Sequence, residues 1–327
     1  MSKDLFEKPL AVKEAVKAQK GLNWALEILI FVAVFFVCQF GMAIVMLPVE
    51  LVMLFTNHDY VQAALSGDIA AAVEASMGLA GSEIYTVVML FADAIMILLT
   101  CLFCKLLQKR KMVTMGFCKK GMIKEYVIGL VAGFACFSLA VLLGVVTGAL
   151  KIEGLNPNAS IGMLVAFFIG FMIQGMAEEV ICRGYFMVSY ARKYPMYAAV
   201  IANALVFAAL HLMNSGITVL SFINLTLFGV FASVYFIRRG NIWGIGAFHT
   251  IWNFVQGNFY GIRVSGMALD NSVFTTSLVE GKELLSGGAF GLEGSILVTI
   301  ILTAGTILLF FLKKKPAAEA AAPEAAA

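Results

Sequence analysis

Apolar residues run along this chain in long uninterrupted blocks, near residues 24–50, 84–106, 126–149, 161–190, 196–213, 217–237, 242–262 and 294–312. Blocks of about 20 residues are long enough, as helices, to cross a hydrocarbon layer of about 30 Å. A backbone facing lipid must satisfy its own hydrogen bonds, and the blocks lack the period-two alternation of a barrel strand, so helices are the expected form. The pattern predicts an all-α fold, a polytopic transmembrane helical bundle of about eight spans. The first and fourth blocks exceed a minimal span and have length to tilt or protrude.

Composition agrees with this pattern. Of 327 residues, 61% are apolar and 13% charged, too little charge for a globular surface, which carries roughly 25%. The net charge of +3 is small, and its lysines and arginines stand between the blocks as orientation signals, not as a nucleic-acid surface. Lys8, Lys13, Lys17 and Lys20 precede the first block, and Lys109, Arg110, Lys111, Lys119 and Lys120 follow the second. Arg192 and Lys193 follow the fourth, Arg238 and Arg239 the sixth, and Lys313 to Lys315 the last. Every second connection is basic, while those bearing Asp59, Asp68, Glu74 and Glu83, or Asp270, Glu280 and Glu283, are acidic. The positive-inside rule then puts both termini in the cytosol of a multi-pass cell-membrane protein, with the lipid bilayer as its first partner. Six cysteines lie mostly within apolar blocks, which argues against a disulfide framework, and the single CxxC of Cys101 and Cys104 lacks the second pair of a zinc site.

The expected organisation is a cytosolic amphipathic lead-in over 1–23, retained because no small-residue cleavage site follows it. N-terminal transmembrane helices occupy 24–160, a helical core 161–262, an external loop 263–293 and a last transmembrane helix 294–312. The alanine-, glutamate- and proline-rich run over 313–327 reads as a disordered cytosolic tail.

Charged groups inside a span cost about 2.5–3.5 kcal/mol each at the helix centre, so each calls for a reason. Glu179 and Arg183 are four apart and form a pair on one helix face, the acid N-terminal to the base. Glu178 is rotated by about 100° from that pair, and Gln174, four residues earlier, is placed to donate a hydrogen bond to it. Of three histidines, His58 sits in an acidic connection, while His211 and His249 lie within blocks. His249 and Asn253 share a helix face and can present two donors to one point. Counted from the basic ends at about 1.5 Å per residue, Glu178, His211, His249 and Asn253 fall within one slab roughly 10 Å thick. Asn203, Asn224 and Gln174 read as interhelical glue. Asp93, alone in the second block, reads first as a buried partner for Arg183 and second as a proton-pathway residue.

Glu178-Glu179-Val180-Ile181-Cys182-Arg183 is similar to the EExxxR signature of the CAAX-protease and bacteriocin-processing (CPBP) family. Phe207 to His211 resembles its FxxxH element and His249 to Asn253 its HxxxN element, in the family's order. The resemblance covers roughly 161–262, making that segment a CPBP-like catalytic core. It implies an intramembrane endopeptidase acting on a peptide or membrane-protein substrate, with Glu178, His211, His249 and Asn253 catalytic and Glu179 and Arg183 in structural support. In one mechanism Glu178 with His211 activates water while His249 and Asn253 stabilise the oxyanion, with no cofactor. In the alternative, Glu178, His211 and His249 ligate a zinc ion that activates the water; the sequence has no HExxH, and the first mechanism is the one expected. The family also contains bacteriocin-immunity and membrane-scaffold proteins, so a non-catalytic member is the alternative function, and a proton-coupled transporter using Glu178 is a third.

Overall fold

The computed structural model describes residues 7–312. The expected tail over 313–327, including Lys313 to Lys315, and the first six residues of the lead-in lie outside the described residues. The rest of the lead-in forms α1 (Leu10–Ala18), which buries Ala11, Val12 and Ala15 and leaves Lys13 and Lys17 exposed, as an amphipathic helix should.

Helix α2 (Trp24–Thr56) begins where the Asn23 side chain accepts from the Ala25 amide, and it runs 33 residues through Pro48. The acidic connection that follows folds as α3 (His58–Ser66) and α4 (Ile69–Ala80). Next come α5 (Glu83–Leu102), extended by a π-helical turn Phe103–Leu107, and α6 (Met122–Val146). Helix α7 (Ile161–Glu179) passes through a π-helical stretch Val180–Met187 into α8 (Val188–Ala191). Helices α9 (Met196–Ala209), α10 (Val219–Arg239), α11 (Trp243–Phe254), the short α12 (Glu283–Ser286) and α13 (Ile296–Phe311) complete the bundle. Ser82, Ser160, Thr218 and Ser295 each cap a helix by accepting from an amide of its first turn.

The architecture is an all-helical multi-pass membrane bundle with one addition that the block pattern did not announce. Strand β1 (Leu150–Leu155) pairs antiparallel with β2 (Phe274–Leu278), with a bulge between Ile152 and Gly154. The segment 263–293, expected as a loop, is therefore tied by a sheet through Phe274–Leu278 in its interior. Five helices are long and apolar enough to cross a membrane: Trp24–Thr56, Glu83–Leu107, Met122–Val146, Ile161–Ala191 and Val219–Arg239. The apolar helices Met196–Ala209 and Ile296–Phe311 are shorter, and Ala209 ends α9 before His211, which stands in the turn beyond the helix instead of within a span.

Helix α11 packs between α6 and α7, and glycines let it approach both closely. A Cβ at Gly129 of α6 would lie 2.0 Å from the Gly244 carbonyl oxygen, and one at Gly175 of α7 only 2.7 Å from the Thr250 amide nitrogen. Neither position has room for a side chain. Gly175 thereby sets the short distance between the helix carrying Glu178 and Glu179 and the helix carrying His249 and Asn253. Around them pack Phe137, Phe171, Phe207, Phe248 and Trp252, all buried. Two of the basic residues that mark orientation also bind the fold together: Arg239 holds Glu125 through two hydrogen bonds of 2.9 and 2.7 Å, and Arg192 reaches Glu27 at 3.2 Å.

Candidate active site

Glu178 and Glu179 occupy the last turn of α7, just before the helix widens into its π-helical stretch. Such widenings re-aim side chains and recur at functional sites. Arg183 nonetheless donates from Nη1 to Glu179 Oε1 at 2.9 Å, with both side chains fully buried. Its guanidinium lies 4.4 Å from the Phe207 ring centroid, so aromatic π density supplements the single carboxylate contact.

The same Glu179 oxygen also accepts from His249 Nδ1 at 3.0 Å. Glu179 thus holds an arginine and a histidine at once, a tie across helices that the i, i+4 spacing alone did not reveal. Because a carboxylate only accepts, the proton sits on Nδ1, and Nε2 of a neutral His249 presents a lone pair. His211 is fixed in the same tautomer from a different partner: its Nδ1 lies 2.9 Å from the Phe207 carbonyl oxygen. Both Nε2 atoms face Glu178 Oε2, His249 at 3.7 Å and His211 at 3.9 Å. These separations are beyond direct hydrogen bonding, and Glu178 Oε2 is buried without a hydrogen-bond partner among the described residues.

The other Glu178 oxygen is well held. Gln174 Nε2 donates to Oε1 at 2.5 Å, and Asn253 Nδ2 donates to Gln174 Oε1 at 3.0 Å. Gln174, read from sequence as glue or as a neighbour of Glu178, is the middle link of a chain from α11 to the carboxylate. Asn253 spends one amide donor on that chain, so the pair His249 and Asn253 does not aim both side chains solely at an outside point as their spacing implied. Asn203 and Asn224 do act between elements: Asn203 donates to Ser233 Oγ at 2.9 Å, and Asn224 Nδ2 donates to the carbonyls of Glu293 and Ser295.

Gln174, Glu178, His211, His249 and Asn253 line a cavity of about 530 Å³ that also receives Asp93 from α5 and the turn Val264–Met267. That turn is pinned by Glu293, whose Oε2 accepts from the Ser265 amide and hydroxyl and whose Oε1 accepts from Trp252 Nε1 at 3.0 Å. Ser265 has φ 48°, a left-handed conformation rare outside glycine, held by those bonds. The expected external loop is thus a roof over the site. Glu293 went unnoticed in the sequence because it borders an apolar block without any periodic signal. Asp93 is not the partner of Arg183: the guanidinium pairs through Nη1 with Glu179 and lies over Phe207, and among the described residues no ion pair joins Asp93 to it.

Glu178 Oε2 and the two Nε2 atoms offer lone pairs that in kind would suit zinc. Among the described residues, however, no three His, Cys, Asp or Glu side chains are grouped so as to hold a metal ion.

The fold and this polar cavity among membrane-crossing helices define a multi-pass membrane protein with a cluster of glutamate and histidine side chains buried in its bundle. Residues 160–255 match the family model of the type II CAAX prenyl endopeptidase Rce1-like proteins. The matched segment carries Glu178, Glu179, Arg183, His211, His249 and Asn253, and the family is the one that the three motifs resemble. At the level of the family this supports a CAAX-type intramembrane protease acting on peptide substrates. No curated protein and no solved structure matches the chain.

Proposed function

We propose that the protein is an intramembrane endopeptidase that hydrolyses a peptide bond in a membrane-associated peptide or protein, with Glu178 and His211 activating water. The observation that carries this reading is the convergence of His211 Nε2 and His249 Nε2 on Glu178 Oε2, a buried carboxylate oxygen with no hydrogen bond of its own. Groups 3.7–3.9 Å apart around one point are placed to share a water.

In the proposed cycle the water oxygen attacks the scissile carbonyl carbon and its proton passes to Glu178, with His211 beside it as the second acceptor. The carbonyl oxygen becomes an oxyanion. His249 donates to it from Nε2, which requires the doubly protonated imidazolium because Nδ1–H is already given to Glu179; the Glu178 carboxylate faces that charge before the attack and the oxyanion faces it after Glu178 has taken the proton. Asn253 supplies its second amide hydrogen. Collapse breaks the C–N bond, and the proton held by Glu178 goes to the leaving amine. No metal takes part in these steps.

Eight spans with both termini cytosolic complete the proposal; in it α9, α11 and α13 cross as short helices within the bundle. Glu178→Gln keeps the Gln174 contact and removes the base, so it should abolish cleavage at unchanged abundance.

A further inference from the structure

Asp93 is a cavity carboxylate singled out by its sequence context that the proposed chemistry does not use. It sits on α5 one turn after Met89, which also lines the cavity, and is 8% exposed. Among the described residues it makes no hydrogen bond and no ion pair, although it faces a polar cavity. An unpartnered carboxylate at this depth is costly, and packing gives no reason for it.

The other carboxylates of the cavity have duties already. Glu293 has both oxygens bonded to Trp252 and Ser265, and Glu178 has Oε1 on Gln174 while its unbonded Oε2, facing two imidazoles, is the proposed base. Among the described residues no lysine or arginine lines the cavity, and Arg183, which lies against the lining residue Phe207, is paired with Glu179. Among the described residues the cavity therefore offers an unpartnered carboxyl acceptor and no lysine or arginine to answer it. Apolar walls such as Met42, Phe171 and Leu302 suit the methylene stem of a long basic side chain.

We propose that Asp93 forms a subsite for a cationic side chain, a lysine or arginine of the substrate next to the bond presented to Glu178. This rests on the peptidase reading for its substrate class, but binding tests it without turnover. The geometry makes Asp93 a specificity residue, whereas a proton-pathway role would require no substrate cation.

The test uses the full chain in detergent micelles carrying Glu178→Gln, so that bound peptide is not turned over. Fluorescein-labelled apolar peptides that differ only at one central position, lysine against acetyl-lysine, are titrated by anisotropy. A charged hydrogen bond in a dry site predicts roughly 10- to 100-fold tighter binding of the lysine peptide. Adding Asp93→Asn should bring the ratio of the two affinities to about one, and Asp93→Glu should restore part of it. Equal binding of both peptides before Asp93 is changed overturns the proposal, as does a lysine preference that survives Asp93→Asn. If Asp93→Asn lowers the yield of folded protein, the first comparison still decides. Absence of cleavage by the unsubstituted chain, together with a lysine preference that depends on Asp93, would remove the peptidase reading and leave the subsite.

Discussion

Glu179 Oε1 is shared by Arg183 Nη1 at 2.9 Å and His249 Nδ1 at 3.0 Å, so one buried oxygen fixes both the ion pair of α7 and the tautomer of a histidine on α11. This makes Glu179 a positioning residue with two separable duties. Breaking a buried pair by removing one partner costs about 3–5 kcal/mol, because the other charge is left uncompensated. Arg183→Met and Glu179→Gln should each lower the thermal midpoint in detergent, and the double substitution should cost less than their sum. Additive losses would show that the two side chains do not form an energetic pair.

A second prediction concerns the chain from Asn253 through Gln174 to Glu178. Gln174→Ala removes the 2.5 Å hydrogen bond on Glu178 Oε1. It should lower peptide-cleavage rates roughly 10- to 100-fold, the scale of one hydrogen bond to a charged group. Rates equal to those of the unsubstituted protein would return Gln174 to the role of helix glue.

Much of this site was legible before any coordinates. Each of the eight apolar blocks contains a helix, and Glu179 with Arg183 met as their i, i+4 spacing required. Periodicity and spacing report on contacts within one element. They are silent on Ser265 with Glu293, on Leu150 with Leu278, and on the grip of Glu179 on His249, which join residues far apart in the chain. Strands of six and five residues are too short to stand out between long apolar blocks. The assignment of Asp93 to Arg183 failed for a related reason. Charge complementarity named a partner across helices, but the ion pair that Arg183 makes is with Glu179, four residues earlier on its own helix.

The metal question has a direct check. With water activation resting on Glu178 and His211, protein treated with a strong chelator and desalted should keep its cleavage rate and contain far less than one zinc per chain by elemental analysis. Loss of activity on chelation, with recovery on adding zinc, would favour ligation by Glu178, His211 and His249.

Orientation is equally accessible. Reporter fusions placed after Lys20 and after Lys315 should both report the cytosol, and a fusion in the segment between β2 and α12 should report the opposite side. A non-cytosolic signal from either terminal fusion would reverse or break the eight-span arrangement.

The central claim is that Glu178 is a base and not merely a binding group. Cells lacking the protein, complemented with the unsubstituted chain or with Glu178→Gln at matched abundance, can be compared by mass spectrometry of newly formed peptide termini. Loss of a general base lowers rates by about 10²–10⁴, far more than a small change in expression could. The account predicts termini that appear with the unsubstituted chain and are absent with Glu178→Gln, while thermal stability of the variant stays near that of the parent. Identical termini from both, with full rescue of the null phenotype by Glu178→Gln, would contradict catalysis and leave an immunity or scaffold protein that uses the same cavity to bind.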